Sequence, residues 1–162
     1  MRQRGFSLIE LMIVVAIILI IAAIAIPNMM RARMSANEAA AVSAVRTIGT
    51  AEITYQSSYP TVGYAAQLSD LGAGGVEPCV HLPTSACLID DSLATASAPP
   101  GRSGYVYTAN GSLATFFVTA VPASNTSGQR SFCEVADNVP RVNPAGTAIA
   151  NEAACLALQP IH

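Results

Sequence analysis

Twenty-one residues, Phe6 to Ile26, carry a single ionisable side chain, Glu10, and from Leu11 onward no strongly polar group at all. As a helix this run is about 31 Å long, enough to cross the hydrocarbon core of a bilayer. It constrains the fold more than any other stretch. A chain of 162 residues then divides into a membrane-length helix and one small domain. The flank Met1-Arg2-Gln3-Arg4-Gly5 is short and basic, which suits a cytoplasmic amino terminus, although Arg31 and Arg33 lie just beyond the other end.

Glu10 admits three readings. On an ordinary membrane anchor it sits near the interface and reaches toward head-group water. In a secretory signal, Ala23-Ile24-Ala25 offers a small-x-small cleavage site, but the acid is out of place and the apolar run is longer than such signals need. In the third reading the acid is functional and requires a cation as partner. No cation lies one helical turn away on the apolar side, so the partner comes from another molecule or from a new amino terminus made by cleavage.

The hexapeptide Gly5-Phe6-Ser7-Leu8-Ile9-Glu10 resembles the processing and methylation site of type IV prepilins and type II secretion pseudopilins. The similarity joins leader charge, Gly, Phe, the Glu offset, the apolar length and the position of Pro27, and extends to about Arg33. It implies that a prepilin peptidase cuts after Gly5 and methylates Phe6. It implies that Glu10 pairs with the α-amino group of a neighbouring subunit, an arrangement that sets axial register, since two unpaired charges in a helix bundle are costly. It also implies that Pro27 bends the helix, as expected of a proline that lacks an N–H and crowds the preceding turn.

After Pro27, Asn28 to about Ser57 reads as a continuing helix, rich in alanine. Met34, Ala41, Val45, Ile48 and Tyr55 follow a stripe of threes, fours and sevens. Arg31, Arg33, Asn37, Glu38, Arg46 and Glu52 read as its polar remainder. Gly49 loosens the helix slightly. Residues 58–103 are punctuated by Gly72-Ala73-Gly74-Gly75 and Pro99-Pro100-Gly101, with a short helix expected over Ala65 to Leu71. The period then changes to two. Gly104 to Ala109 is a strand, Asn110-Gly111 a hairpin turn, and Leu113 to Val121 a second strand with Phe116 and Val118 on one face. Arg130 to Val135 is a third strand, Asp137-Asn138 a turn, and Val139 to Val142 a short fourth strand whose Pro140 suits a sheet edge.

The expected fold class is therefore α+β. A long helix over 6–57, its membrane part 6–26, packs on a small antiparallel sheet over 104–142 within a head of 58–162. The four cysteines, Cys79, Cys87, Cys133 and Cys155, form no C-x-x-C pair. After an export-like amino terminus they read as two disulfides. Three pairings are open, and we favour Cys79–Cys87 and Cys133–Cys155, each within one region. The second closes a 133–155 loop, for about 3 kcal/mol of stabilisation. Type IV pilins resemble this plan, with a disulfide-closed carboxy-terminal segment. Major pseudopilins commonly lack that disulfide and bind calcium in the late loop.

Metal sets are weak. Cys79, His81 and Cys87 lack the paired-ligand spacing of structural zinc. Glu134, Asp137 and Asn138 lack calcium-loop spacing, and a solvated turn explains them. No nucleophile elbow, phosphate loop or H-E-x-x-H helix is present, and Asp90-Asp91 reads as water-facing, so no enzyme and no cofactor is expected. With eight arginines, no lysine and no basic tract, no specific nucleic-acid partner is expected either. Asn110-Gly111-Ser112 and Asn125-Thr126-Ser127 match the N-glycosylation pattern at a frequency chance supplies.

The resemblance implies a type IV pilus subunit. The precursor lies in the inner membrane. The mature chain assembles with itself, through a peptidase and assembly machinery, into an extracellular filament that presents the head for functions such as adhesion. A secretion pseudopilin is the near alternative, and a membrane-anchored periplasmic binding protein the distant one.

Overall fold

The computed structural model describes residues 6–75 and 78–161. The leader 1–5, with the expected cleavage residue Gly5, and the terminal His162 lie outside the described residues. Helix α1 (Leu8–Ser58) contains Pro27 and is otherwise built from apolar residues, alanine and a few polar side chains. It stops where Pro60 disfavours helical geometry at Tyr59, whose N–H still donates to the Tyr55 carbonyl at 2.8 Å. The chain divides between Arg33 and Met34 into two compact units. In the first, every described residue is exposed except the half-buried Ala22.

The second unit is built on a five-stranded antiparallel sheet in the order β1-β2-β3-β4-β5. The strands are β1 (Tyr105–Gly111), β2 (Phe116–Pro122), β3 (Ser131–Val135), β4 (Arg141–Asn143) and β5 (Gln159–Pro160), with a short helix α2 (Asp91–Ala94) before β1 and another, α3 (Glu152–Leu156), between β4 and β5. One core cluster joins Ala41, Val45, Ile48 and Tyr55 of α1 to Tyr105, Tyr107, Phe116, Val118, Ala120 and Phe132 of the sheet. Alternation along β2 and β3 sends Phe117, Cys133 and Val135 to the other face, where Ile149, Cys155 and Leu158 cover them. Together these elements form a pilin-like α+β arrangement of long helix and small antiparallel sheet.

The connection 58–103 contributes to the core through Leu68, Leu71, Ala86, Ile89 and Leu93. The helix expected over Ala65 to Leu71 is a single 3-10 turn, Leu68–Leu71. The backbone around it is tied to a later segment by Ala86 N–H to Asp70 O at 2.8 Å and Leu88 N–H to Leu71 O at 2.7 Å. Asp90 and Asp91 are not idle in water. Asp90 caps α2 through the Leu93 amide and pairs with Arg102 at 2.7 Å, and Asp91 accepts from the Ala73 amide at 2.9 Å.

Two expectations for the sheet are corrected. Asn110-Gly111 is not the hairpin turn: both residues belong to β1, paired with Phe117 and Phe116. The reversal is Ser112 to Thr115, held by Ser112 N–H to Thr115 O and by Ser112 Oγ accepting from the Thr115 amide at 3.2 Å. Gly111 serves close approach instead, because a β-carbon there would lie 2.3 Å from the Ala65 carbonyl. The fourth strand begins after Pro140 and is not the edge, since β5 pairs outside it. The edge proline is Pro160, and the sheet runs past residue 142.

Candidate functional site

The amino-terminal end of α1 concentrates the unusual chemistry. Ser7-Leu8-Ile9-Glu10 has the S-x-x-E spacing of a capping box, a signal present in the sequence but masked by the apolar run around it. The Glu10 carboxylate folds back and accepts from the Ser7 N–H at 2.9 Å, while the Ser7 carbonyl accepts from Leu11 N–H at 3.2 Å. An acid in the first turn also meets the positive end of the helix dipole favourably. Glu10 is exposed, and among the described residues it has no ion-pair partner. Beside it, Phe6 and Leu8 are 83% and 74% exposed. None of the most apolar window of α1 is buried within the chain. This surface therefore requires lipid or another protein to cover it. Further along, Pro27 leaves the carbonyl one turn before it without a helical donor.

The cysteines lie in the second unit. Cys79 is bonded to Cys87, and Cys133 to Cys155. The first bridge closes a small loop in which Leu82 and Ser85 exchange backbone hydrogen bonds and the Tyr55 hydroxyl donates to Pro83 O at 2.7 Å. Both thiols of the alternative zinc set are consumed by it, and the ring Nδ1 of His81 lies 3.1 Å from the Ala86 carbonyl. The second bridge seals α3 onto β3. Of the calcium-type oxygens, those of Asp137 are held by two nitrogens of Arg141, at 3.1 and 2.5 Å, and Glu134 turns into the core.

Three carboxylates expected in water, Glu38 and Glu52 on the polar side of the helix and Glu134 in a solvated turn, are instead buried against the sheet or its connections. Glu38 accepts from the Gln129 amide at 2.9 Å and from Arg130 at 2.8 and 2.6 Å. Burial pushes its carboxyl up, but the Gln129 amide and Arg130 together hold it below the usual carboxylate range. Glu52 is fully buried. One oxygen accepts from the Ala65 amide at 2.8 Å and the other has no partner among the described residues. Burial raises it to about 7, against the pull of the Ala65 amide and with a smaller push from Asp70. Glu134 is fully buried with neither oxygen partnered among the described residues. Burial raises it too to about 7, opposed by Arg46 and aided by Asp137. The sequence signal for two of them was available: Glu38 and Glu52 fill the gaps in the 38, 41, 45, 48, 52, 55 series.

A family model described as the prokaryotic N-terminal methylation motif matches residues 1–26. The type IV major pilin protein PilA of Myxococcus xanthus is 48% identical over 56 residues, 35% of this chain and 26% of that protein. The type IV wide pilus major component PilA4 of Thermus thermophilus is 57% identical over 37 residues, 23% of this chain and 28% of that protein. The chain thus spans about a quarter of the length of the curated relatives it matches. No solved structure matches the chain.

Proposed function

From the premise that its amino-terminal region is of the prepilin type, carrying the N-terminal methylation motif and similar to type IV pilins, we propose that the chain is a structural, non-catalytic subunit of a type IV pilus. The precursor is anchored in the inner membrane by residues 6–26. A prepilin peptidase removes 1–5 by cutting after Gly5 and methylates Phe6. The mature subunits then leave the bilayer and polymerise through α1, and the second unit faces the exterior of the filament. The observation that carries this reading is the apolar run headed by one acid, none of it buried within the chain.

Among the described residues, the Ser7 amide alone stabilises the Glu10 charge in lipid or in a helix bundle. A neighbouring subunit's α-amino group at Phe6 supplies a cation, and the pairing is reached only at one axial offset between helices. Pro27 bends α1 at the end of the apolar run, fitting it to its neighbours. A head-to-tail contact that does not close generates a filament rather than a ring. Both relatives are named as main components of type IV pili, which favours a pilus over a secretion pseudopilus.

Intact mass and amino-terminal peptide mapping of the unreduced native protein test the proposal. The expected terminus is N-methylated Phe6, with the mass lowered by two disulfides. A terminus at Met1 would leave a plain anchor, and one at Ile26 an exported soluble domain. Either would overturn the filament reading.

A further inference from the structure

Glu134 projects from β3 into the seam between α1 and the sheet. It is fully buried, and both carboxyl oxygens lack a hydrogen-bond partner among the described residues. Gly49 makes the room for it: a β-carbon there would lie 1.8 Å from Glu134 Oε1 and 3.0 Å from Asn138 Oδ1. The turn after β3 and the helix thus meet at one glycine, around an acid without a hydrogen-bond partner among the described residues. An ionised carboxylate in that position is far costlier than a neutral one.

The charged groups that face it come from two elements. Arg46 lies on α1 three residues before Gly49, exposed and without an ion-pair partner among the described residues. Asp137 lies on the turn after β3 and is already occupied by Arg141. β2 offers only Val118, the register partner of Glu134. Among the described residues, the cation that acts on Glu134 and has spare capacity is therefore Arg46, exposed on α1.

We propose that Glu134 is a protonation latch on the α1–sheet contact. Neutral, it lets β3 and its turn close onto α1 at Gly49. Ionised, it leaves the seam for Arg46 and opens that contact locally. The opened state has an ordinary carboxyl and the closed state one near 7. Opening therefore becomes easier as pH rises from about 4.5 to about 7 and levels off above that. The latch does not depend on the filament reading and stands or falls apart from it.

Hydrogen exchange followed by mass spectrometry on the full chain in detergent tests it, from about pH 5 to about pH 8, after correction for intrinsic exchange chemistry. Peptides covering 43–52 and 131–139 are expected to lose protection by about tenfold for each unit separating the closed and open carboxyls. In the 131–139 peptides, which exclude the other buried acid Glu52, Glu134→Gln should abolish this step and Glu52→Gln should leave it. Arg46→Gln should move its midpoint to higher pH. A wild-type profile without the step in 131–139, or a step there that survives in Glu134→Gln, overturns the latch. If Glu134→Gln does not fold, carboxyl-carbon NMR of the wild type and the other two variants decides. A glutamate that titrates near neutrality, persists in Glu52→Gln and shifts upward in Arg46→Gln supports the latch. Its absence overturns it.

Discussion

Glu38 and Glu52 stand where the helical stripe of α1 would otherwise place apolar side chains. Each is tolerated for a different reason, and the two reasons predict opposite pH behaviour. Glu38 is held charged by Arg130 and the Gln129 amide. Its folded-state value is lowered, so its contribution is present above the ordinary carboxylate range and is lost as pH falls through the lowered value. Glu38→Gln should cost about 1–3 kcal/mol at neutral pH and flatten the acid limb of a thermal-stability profile. Glu52 is raised to about 7, so its contribution is fully present below the ordinary range and is lost as pH rises toward that value. Glu52→Gln keeps an acceptor for the Ala65 amide and should raise the melting temperature above neutral pH, with little change near pH ~4.5. Melting curves of the full chain in detergent across pH check both. The positions of these acids were legible in the sequence as spacing. Their roles were not, because an acid on a helix is normally assigned to water and its partners, Arg130 and Ala65, lie far away or beyond the helix end.

At the scale of elements, the long helix and the antiparallel strands were readable from their periods, three-to-four and two. The reversal between β1 and β2 was not, because Asn-Gly is the local signature of a tight turn and the decisive contact comes from residues 64 and 65. That contact makes a prediction. In Gly111→Ala the new β-carbon meets the backbone of the 64–65 segment, at 2.3 Å from Ala65 O and 2.7 Å from Tyr64 C, and neither atom can rotate away. A loss of about 1–3 kcal/mol is expected, read by denaturant unfolding. A true hairpin glycine would leave the 64–65 amides unchanged on substitution, whereas here their exchange protection should fall. The two-residue strand β5 escaped the sequence reading because so short a run has no measurable period. It is held by its neighbour β4 and by the Ile161 N–H donating to Pro140 O at 2.9 Å. On the outer face of the sheet, the Cys133–Cys155 bridge fastens the cover over Phe117 and Val135. Replacing both cysteines by serine should cost about 3 kcal/mol by loop entropy, with the loss of protection concentrated in 149–158.

For the molecule as a whole, the first unit has apolar surface and no cover, and the second has a complete core of its own. Their chemistry separates cleanly under mutation. Glu10→Ala should leave the melting profile of the second unit unchanged and retain membrane insertion, yet abolish incorporation into filaments, scored by shear and sedimentation of surface fibres. Retained filaments with Glu10→Ala would remove the register role assigned to the acid. The strand order of the second unit carries a consequence for biogenesis. Every strand after the first pairs with the one immediately before it in the chain, and each disulfide joins cysteines no more than 22 residues apart. Long-range contacts are what slow a sheet in finding its topology. Here a chain emerging amino terminus first already has, at every stage, the partner its next strand needs, so the sheet can be laid down in order of arrival while α1 is still held elsewhere.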